Sequence, residues 1–362
     1  MKKIVSPILC MSLMNMVLVG QSLSGERNLE YRIRLTLDPT ESERVLSILA
    51  ERKSGKDVTD SDWQRLFATE PYRRLKQREE AIGKMYGDPK RAFADEDFKK
   101  FVLSDGLLDR DQELRLTLDK WEKIDLRASA QRILTYLPAD AFIRARVYPV
   151  IKPRTNSFVF EPGTNPAIFL YLDPKEPAAK FENTVAHELH HIGLASLGPV
   201  YEKRIAALPE RAQEAADWMG AFGEGLAMLA AGGGPDIDPH ASSSAEERAR
   251  WEHDLANFNA DLQSVNTFFE DTLSGKLADK DAVSTKASSF FGVQGPWYTV
   301  GYKMAVMVEK RFGRPKLIET MTDFRQLLVL YNQAAREHNR AGGDQLPLWS
   351  DDMLREAGAI GT

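Results

Sequence analysis

Apolar positions change their period along the chain, and the changes predict its elements. "YRIRLTL" alternates Tyr31, Ile33, Leu35 and Leu37 with polar residues, the period of two expected of a short strand. "DPTESERVLSILAERKSG" then predicts a helix with Pro39 early, a Thr40/Glu43 capping box and Gly55 as its stop. From Thr59 to about Leu137 the spacing is helical and highly charged, with breaks predicted at Gly87-Asp88-Pro89 and at Asp105-Gly106. β-Branched and aromatic runs follow in "FIRARVYPVIKP", "NSFVF" and "AIFLYLD". They predict a small sheet or meander, its last two strands joined by "EPGTNP" and "AIFLYLD" reading like an edge strand. Helical spacing returns at "EPAAKFENTVAHELHHIGLASLG", "RAQEAADWMGAFGEGLAMLAAGGG", "SAEERARWEHDLANFNADLQSVNTFFEDTLSG" and "PWYTVGYKMAVMVEKRFG", and a polar helical tail follows Gly313. No internal repeat interrupts this order.

Composition adds little to that picture until the N-terminus. A chain of 362 residues, 43% hydrophobic and 28% charged, is a water-soluble globular type. A net charge of −5 gives no electrostatic ground for a nucleic-acid partner. Residues 1–24 differ: Lys2 and Lys3 precede an apolar run from Ile4 to Gly20, and Ser22 and Ser24 stand before Gly25. That is the layout of a signal peptide cleaved near Ser24. The run is short for a span and is interrupted by Pro7 and Asn15, so an uncleaved anchor is the alternative rather than the expectation. The chain is therefore expected to be exported, periplasmic or secreted, with no stable membrane insertion once the leader is gone. Cys10 is the single cysteine and lies in that leader, so any metal site in the mature chain must use nitrogen and oxygen ligands.

The candidate chemistry lies in "HELHH", which places three of six histidines within five positions. His187, Glu188 and His191 satisfy H-E-x-x-H. Four helical residues turn through about 400°, so the two imidazoles lie on one face, one turn apart. Both can then reach a single Zn2+ at about 2.0–2.1 Å. Glu188, offset by about 100°, can reach an activated water without ligating the metal, the position of a general base. His190 is read as a neighbour that packs or hydrogen-bonds near the ligands. A chance match on an amphipathic helix is the competing reading.

A catalytic zinc needs a third protein ligand and an open fourth position. Glu224 in "FGEGLAMLAAGG" is the candidate, because flanking glycines permit close helix approach and a carboxylate among apolar neighbours is costly unless paired or metal-bound. Its alternative is a helix-terminal surface carboxylate. Glu214 and Asp217 read as solvated, and His240 in "PDIDPHASSS" as a surface loop histidine.

The order "HELHH", "GEGLA", "WYTVGYKMAVMVEKRFG" resembles gluzincin metallopeptidases and uncharacterised bacterial families of zinc-dependent peptidases. The resemblance covers about residues 142–315. It implies His187, His191 and Glu224 as zinc ligands, Glu188 as base and Tyr298 in "YTVG" as the oxyanion-stabilising tyrosine, with Tyr302 and His253 in reserve. It implies an α+β fold, predominantly α-helical, in which a small sheet precedes the H-E-x-x-H helix of a zincin-like module. The corresponding division is a signal peptide at 1–24, a mostly helical region at 25–140, the zincin-like peptidase domain at 141–325 and a helical tail at 326–362. The sequence lacks the G-x-M-E-N segment with which aminopeptidases of this type hold a free amine, and Met228 stands where many gluzincins carry an acid. The implied function is a zinc-dependent hydrolase acting on a peptide or protein. The alternatives are an exported protein with a structural zinc, closed by a fourth ligand such as His240 or Asp217, and a zinc hydrolase of another amide or an ester.

Overall fold

The computed structural model describes residues 31–85 and 93–361, so the leader and the break expected at Gly87–Pro89 lie outside the described residues. The fold is α+β and predominantly helical, with one four-stranded sheet. Strand β1 (Ile33–Leu37) pairs in parallel with β2 (Ile143–Val150), and β2 pairs in parallel with β4 (Ala167–Tyr171). Strand β3 (Phe158–Phe160) lies antiparallel to β4, giving the order β1-β2-β4-β3. The sheet is thus no meander. β4, expected at the edge, is internal, and β3 takes the edge. The reason is that β1 and β2 are joined by the long connection of residues 38–142, and parallel pairs need such crossovers.

The first helix (Thr40–Lys53) forms as expected, and Gly55 ends it at φ 76°. Its start differs from the expected capping box. Asp38 Oδ1 instead accepts from Thr40 N at 3.1 Å and from Thr40 Oγ1 at 2.6 Å. Asp105, expected at a break, opens a short helix (Asp105–Leu108). Of the helices of residues 40–134, the first packs on β2, and that of Leu126–Leu134 packs on β1 and on the motif helix (Ala178–Ala195), on which Trp121 also stacks through Phe181 at 3.9 Å. Among the described residues no helix is long and apolar enough to cross a membrane.

The motif helix follows β4 directly. It buries Phe181, Val185, Leu189 and Ile192 along one stripe and passes Leu137 closely at Gly193. Against it lies a glycine-rich helix (Gly223–Gly232), and across that helix lies a third (Pro296–Phe312), which we call the tyrosine helix. The last two meet backbone to backbone. A Cβ on Gly225 would come within 2.0 Å of Tyr302 N, and one on Gly301 within 2.8 Å of Phe222 O. Only glycine at both positions allows this approach.

Candidate metal centre

These three helices bring His187, His191 and Glu224 together. His187 Nε2 lies 2.9 Å from His191 Nε2, and Glu224 Oε2 lies 3.1 Å from each. Ligands 2.0–2.1 Å from a tetrahedral zinc are spaced by about 3.3 Å, so the three atoms nearly form one face of such a site. They are the only group of three or more candidate ligand residues among the described residues, and neither His240 nor Asp217 joins them. Their side chains are 15–21% exposed, which leaves the open side toward a groove.

The electrostatics suit a cation. Burial would lower the basicity of His191, but Glu224 overrides it and holds the imidazole up at about 9. Burial likewise opposes the charged form of Glu224, yet His191 and His187 hold its carboxyl far below the ordinary range. Glu224 thus stabilises positive charge at the point the ring nitrogens face, held on His191 by a proton that a metal would displace. A divalent ion fits that donor set.

Glu188 is 8% exposed and lines the same groove. Burial pushes its carboxyl up, against the lowering influence of His187 and His191. Tyr298 begins the tyrosine helix beside Trp297, whose indole is fully buried and donates to Ala287 O at 2.9 Å. That anchor leaves the next side chain facing the groove, and the phenol ring lies parallel to His187 with centroids 6.3 Å apart. Burial first, then the charges of Glu224 and Glu188, push its phenol up, so it remains protonated at neutral pH and can donate a hydrogen bond.

The other candidates lie elsewhere. Tyr302 points toward Ile237 O at 3.4 Å and packs on Trp251, and His253 is near Asn257. His190 is fully buried, held down at about 3 by burial, with neither ring nitrogen partnered among the described residues. His240 is not the surface histidine expected. It is 7% exposed and lines the groove, with Nδ1 3.0 Å from Ser243 Oγ and Nε2 2.9 Å from Gln294 Nε2. The expectation failed in part because one partner, Gln294, lies 54 residues away in the chain. His187 Nδ1 has no partner among the described residues, and Met228 lines the groove beside it.

The groove has two arms that share Ser157, His187, Glu188 and Tyr298. One, of about 360 Å³, is lined by Tyr171, Asp173, His240 and Gln294 among others. The second passes Phe158, Val159 and Pro162, so β3 flanks it. The outer edge of β3 pairs with no strand among the described residues.

A family model described as "Putative zinc dependent peptidase (DUF5700)" matches residues 63–340, more than half of the chain, and the chain belongs to that family. No curated protein and no solved structure matches it.

Proposed function

We propose, starting from that membership, that the chain is a zinc peptidase in which His187, His191 and Glu224 hold the metal, Glu188 is the general base and Tyr298 stabilises the oxyanion. The observation that carries this reading is the convergence of three ligand atoms beside a buried carboxylate and a protonated phenol, all in one groove. Bound there, zinc would supply Lewis acidity, polarising a carbonyl and making water acidic near neutral pH. Glu188, displaced from the ligand stripe by one residue, takes the proton from the attacking water and later delivers it to the leaving amine. Its burial keeps the carboxylate basic enough for that exchange. Tyr298 donates to the carbonyl oxygen as negative charge collects on it.

The free edge of β3 supports a peptide as the substrate. An extended chain can add to it as a further strand, main chain to main chain, and be carried past Glu188. A groove with arms on both sides of the metal group suits cleavage within a chain rather than at its end.

The test pairs metal content with turnover of a quenched-fluorescent peptide library. Glu188→Gln is expected to retain zinc by elemental analysis and lose hydrolysis by about 10²–10⁴-fold or more. His191→Ala is expected to lose zinc as well. Unchanged turnover in Glu188→Gln would overturn the assignment.

A further inference from the structure

A peptide strand has hydrogen-bonding groups on both edges, and pairing with β3 satisfies only one of them. Beyond the arm that β3 flanks, the other arm is lined by Pro239, His240, Ser242 and Ser243, after the glycine-rich helix, and by Val293 and Gln294, before the tyrosine helix, which form a second wall on the peptide's path. On that wall two buried atoms have no hydrogen-bond partner among the described residues, Gln294 Oε1 and Ser242 Oγ. Buried acceptors without a donor are rare in folded proteins and call for a physical account.

We infer that Gln294, oriented by His240, binds the main chain of the peptide in the arm away from β3, its Oε1 accepting a substrate N–H. The inference rests on the peptidase reading above.

The orientation is built in. His240 is buried against Trp251, with ring centroids 4.9 Å apart, and its main-chain N–H donates to Asp238 Oδ1 at 2.8 Å. Burial lowers its basicity, so the ring is neutral and carries one proton. With Nδ1–H donating to Ser243 Oγ, Nε2 is left as an acceptor for the Gln294 amide N–H. The amide's nitrogen is thereby turned to the wall and its oxygen left over as an acceptor. Among the side chains of a peptide and its main chain, the repeated N–H is the donor that every substrate offers. Gln294 touches substrate in this account, and His240 is a positioning residue acting through it.

The experiment is a coupling measurement on the zinc-loaded full chain. A peptide cleaved by the wild type is taken from a fluorogenic library, and each N–H within three residues of the scissile bond is methylated in turn. Gln294→Leu is expected to raise KM about five- to tenfold with kcat within twofold, zinc content and Tm unchanged. One N-methyl peptide is expected to lose a similar factor with the wild type and nothing further with Gln294→Leu. His240→Phe, which keeps the ring's bulk, is expected to match Gln294→Leu, and the double variant to be no worse than either. If the wild type cleaves peptides but every N-methyl penalty is the same in wild type and Gln294→Leu, the inference is overturned and the peptidase reading stands. If the zinc-loaded wild type cleaves no peptide in the library, the peptidase reading falls and takes this inference with it.

Discussion

Glu41 is the most completely buried carboxyl outside the metal centre among the described residues, and only half of it is satisfied. Oε2 accepts from Ile151 N at 2.9 Å, while Oε1 has no partner among the described residues. Burial pushes the carboxyl up to about 8, against Ile151, Ser42 and the buried Lys152, itself brought down to about 7 by burial. The folded chain therefore binds this proton more tightly than the unfolded chain, where the value is about 4.3. The resulting stability is complete below about pH 4 and is lost as pH rises through 8. Glu41→Gln keeps a neutral acceptor for Ile151 and removes the titration. Its Tm should equal the wild type's near pH 5 and exceed it by a few degrees near pH 9. A Tm difference that does not change between those pH values would refute the account. At this scale the sequence was informative where chemistry is local. H-E-x-x-H puts two imidazoles on one face by helical repeat alone, and the apolar setting of Glu224 marked a carboxylate in need of a partner. Gln294 and His240 gave no such signal, because their relation exists only once two loops distant in sequence meet.

Helices place Glu224 and Tyr298 through one close crossing. The glycine-rich helix and the tyrosine helix meet at Gly225 and Gly301, each flanking residues of the candidate site. Gly225→Ala would set a Cβ 2.0 Å from Tyr302 N and 2.3 Å from Gly301 C, both backbone atoms that cannot turn aside. The helices must separate, which costs about 1–3 kcal/mol as overpacking and displaces the neighbouring Glu224 carboxylate. Zinc retained after dialysis against a weak chelator should fall with Tm. Gly223→Ala meets only side chains, Leu194 at 2.9 Å and Phe324 at 3.9 Å, and should be much milder. Equal behaviour of the two variants would show that the crossing does not position the ligand. The glycines flanking Glu224 were readable as permission for close approach, but not the helix they approach. The same limit applied to the sheet. Strand positions follow from alternation, whereas the order β1-β2-β4-β3 follows from crossovers that no local pattern encodes.

Across the whole molecule the main core is continuous from Ile33 in the first strand to Ala357 near the end of the chain. No periodicity announces that continuity, since each segment's apolar stripe is compatible with a core of its own. The segment after residue 340 illustrates it. Trp349 is 1% exposed, and its main-chain N–H and C=O are each bonded to the Asn332 amide at 2.9 Å. Its indole N–H lies 3.2 Å from Met304 Sδ, and its ring meets Phe222 edge-on, with centroids 5.7 Å apart. Phe222 immediately precedes the glycine-rich helix and stands two residues before Glu224, so Trp349 braces the helix that carries the third candidate ligand. Trp349→Ala removes that brace and leaves a cavity, at a cost of about 3–5 kcal/mol. Urea unfolding should show that loss, and the loss should be larger for zinc-loaded protein than for apoprotein, because a metal bound only to the folded state adds its binding free energy to stability and a displaced Glu224 binds it more weakly. Equal losses with and without zinc would mean that the brace and the metal group stabilise separate parts of the fold. The coupled result would mean that the core beneath Phe222 and the donors above it rise and fall together.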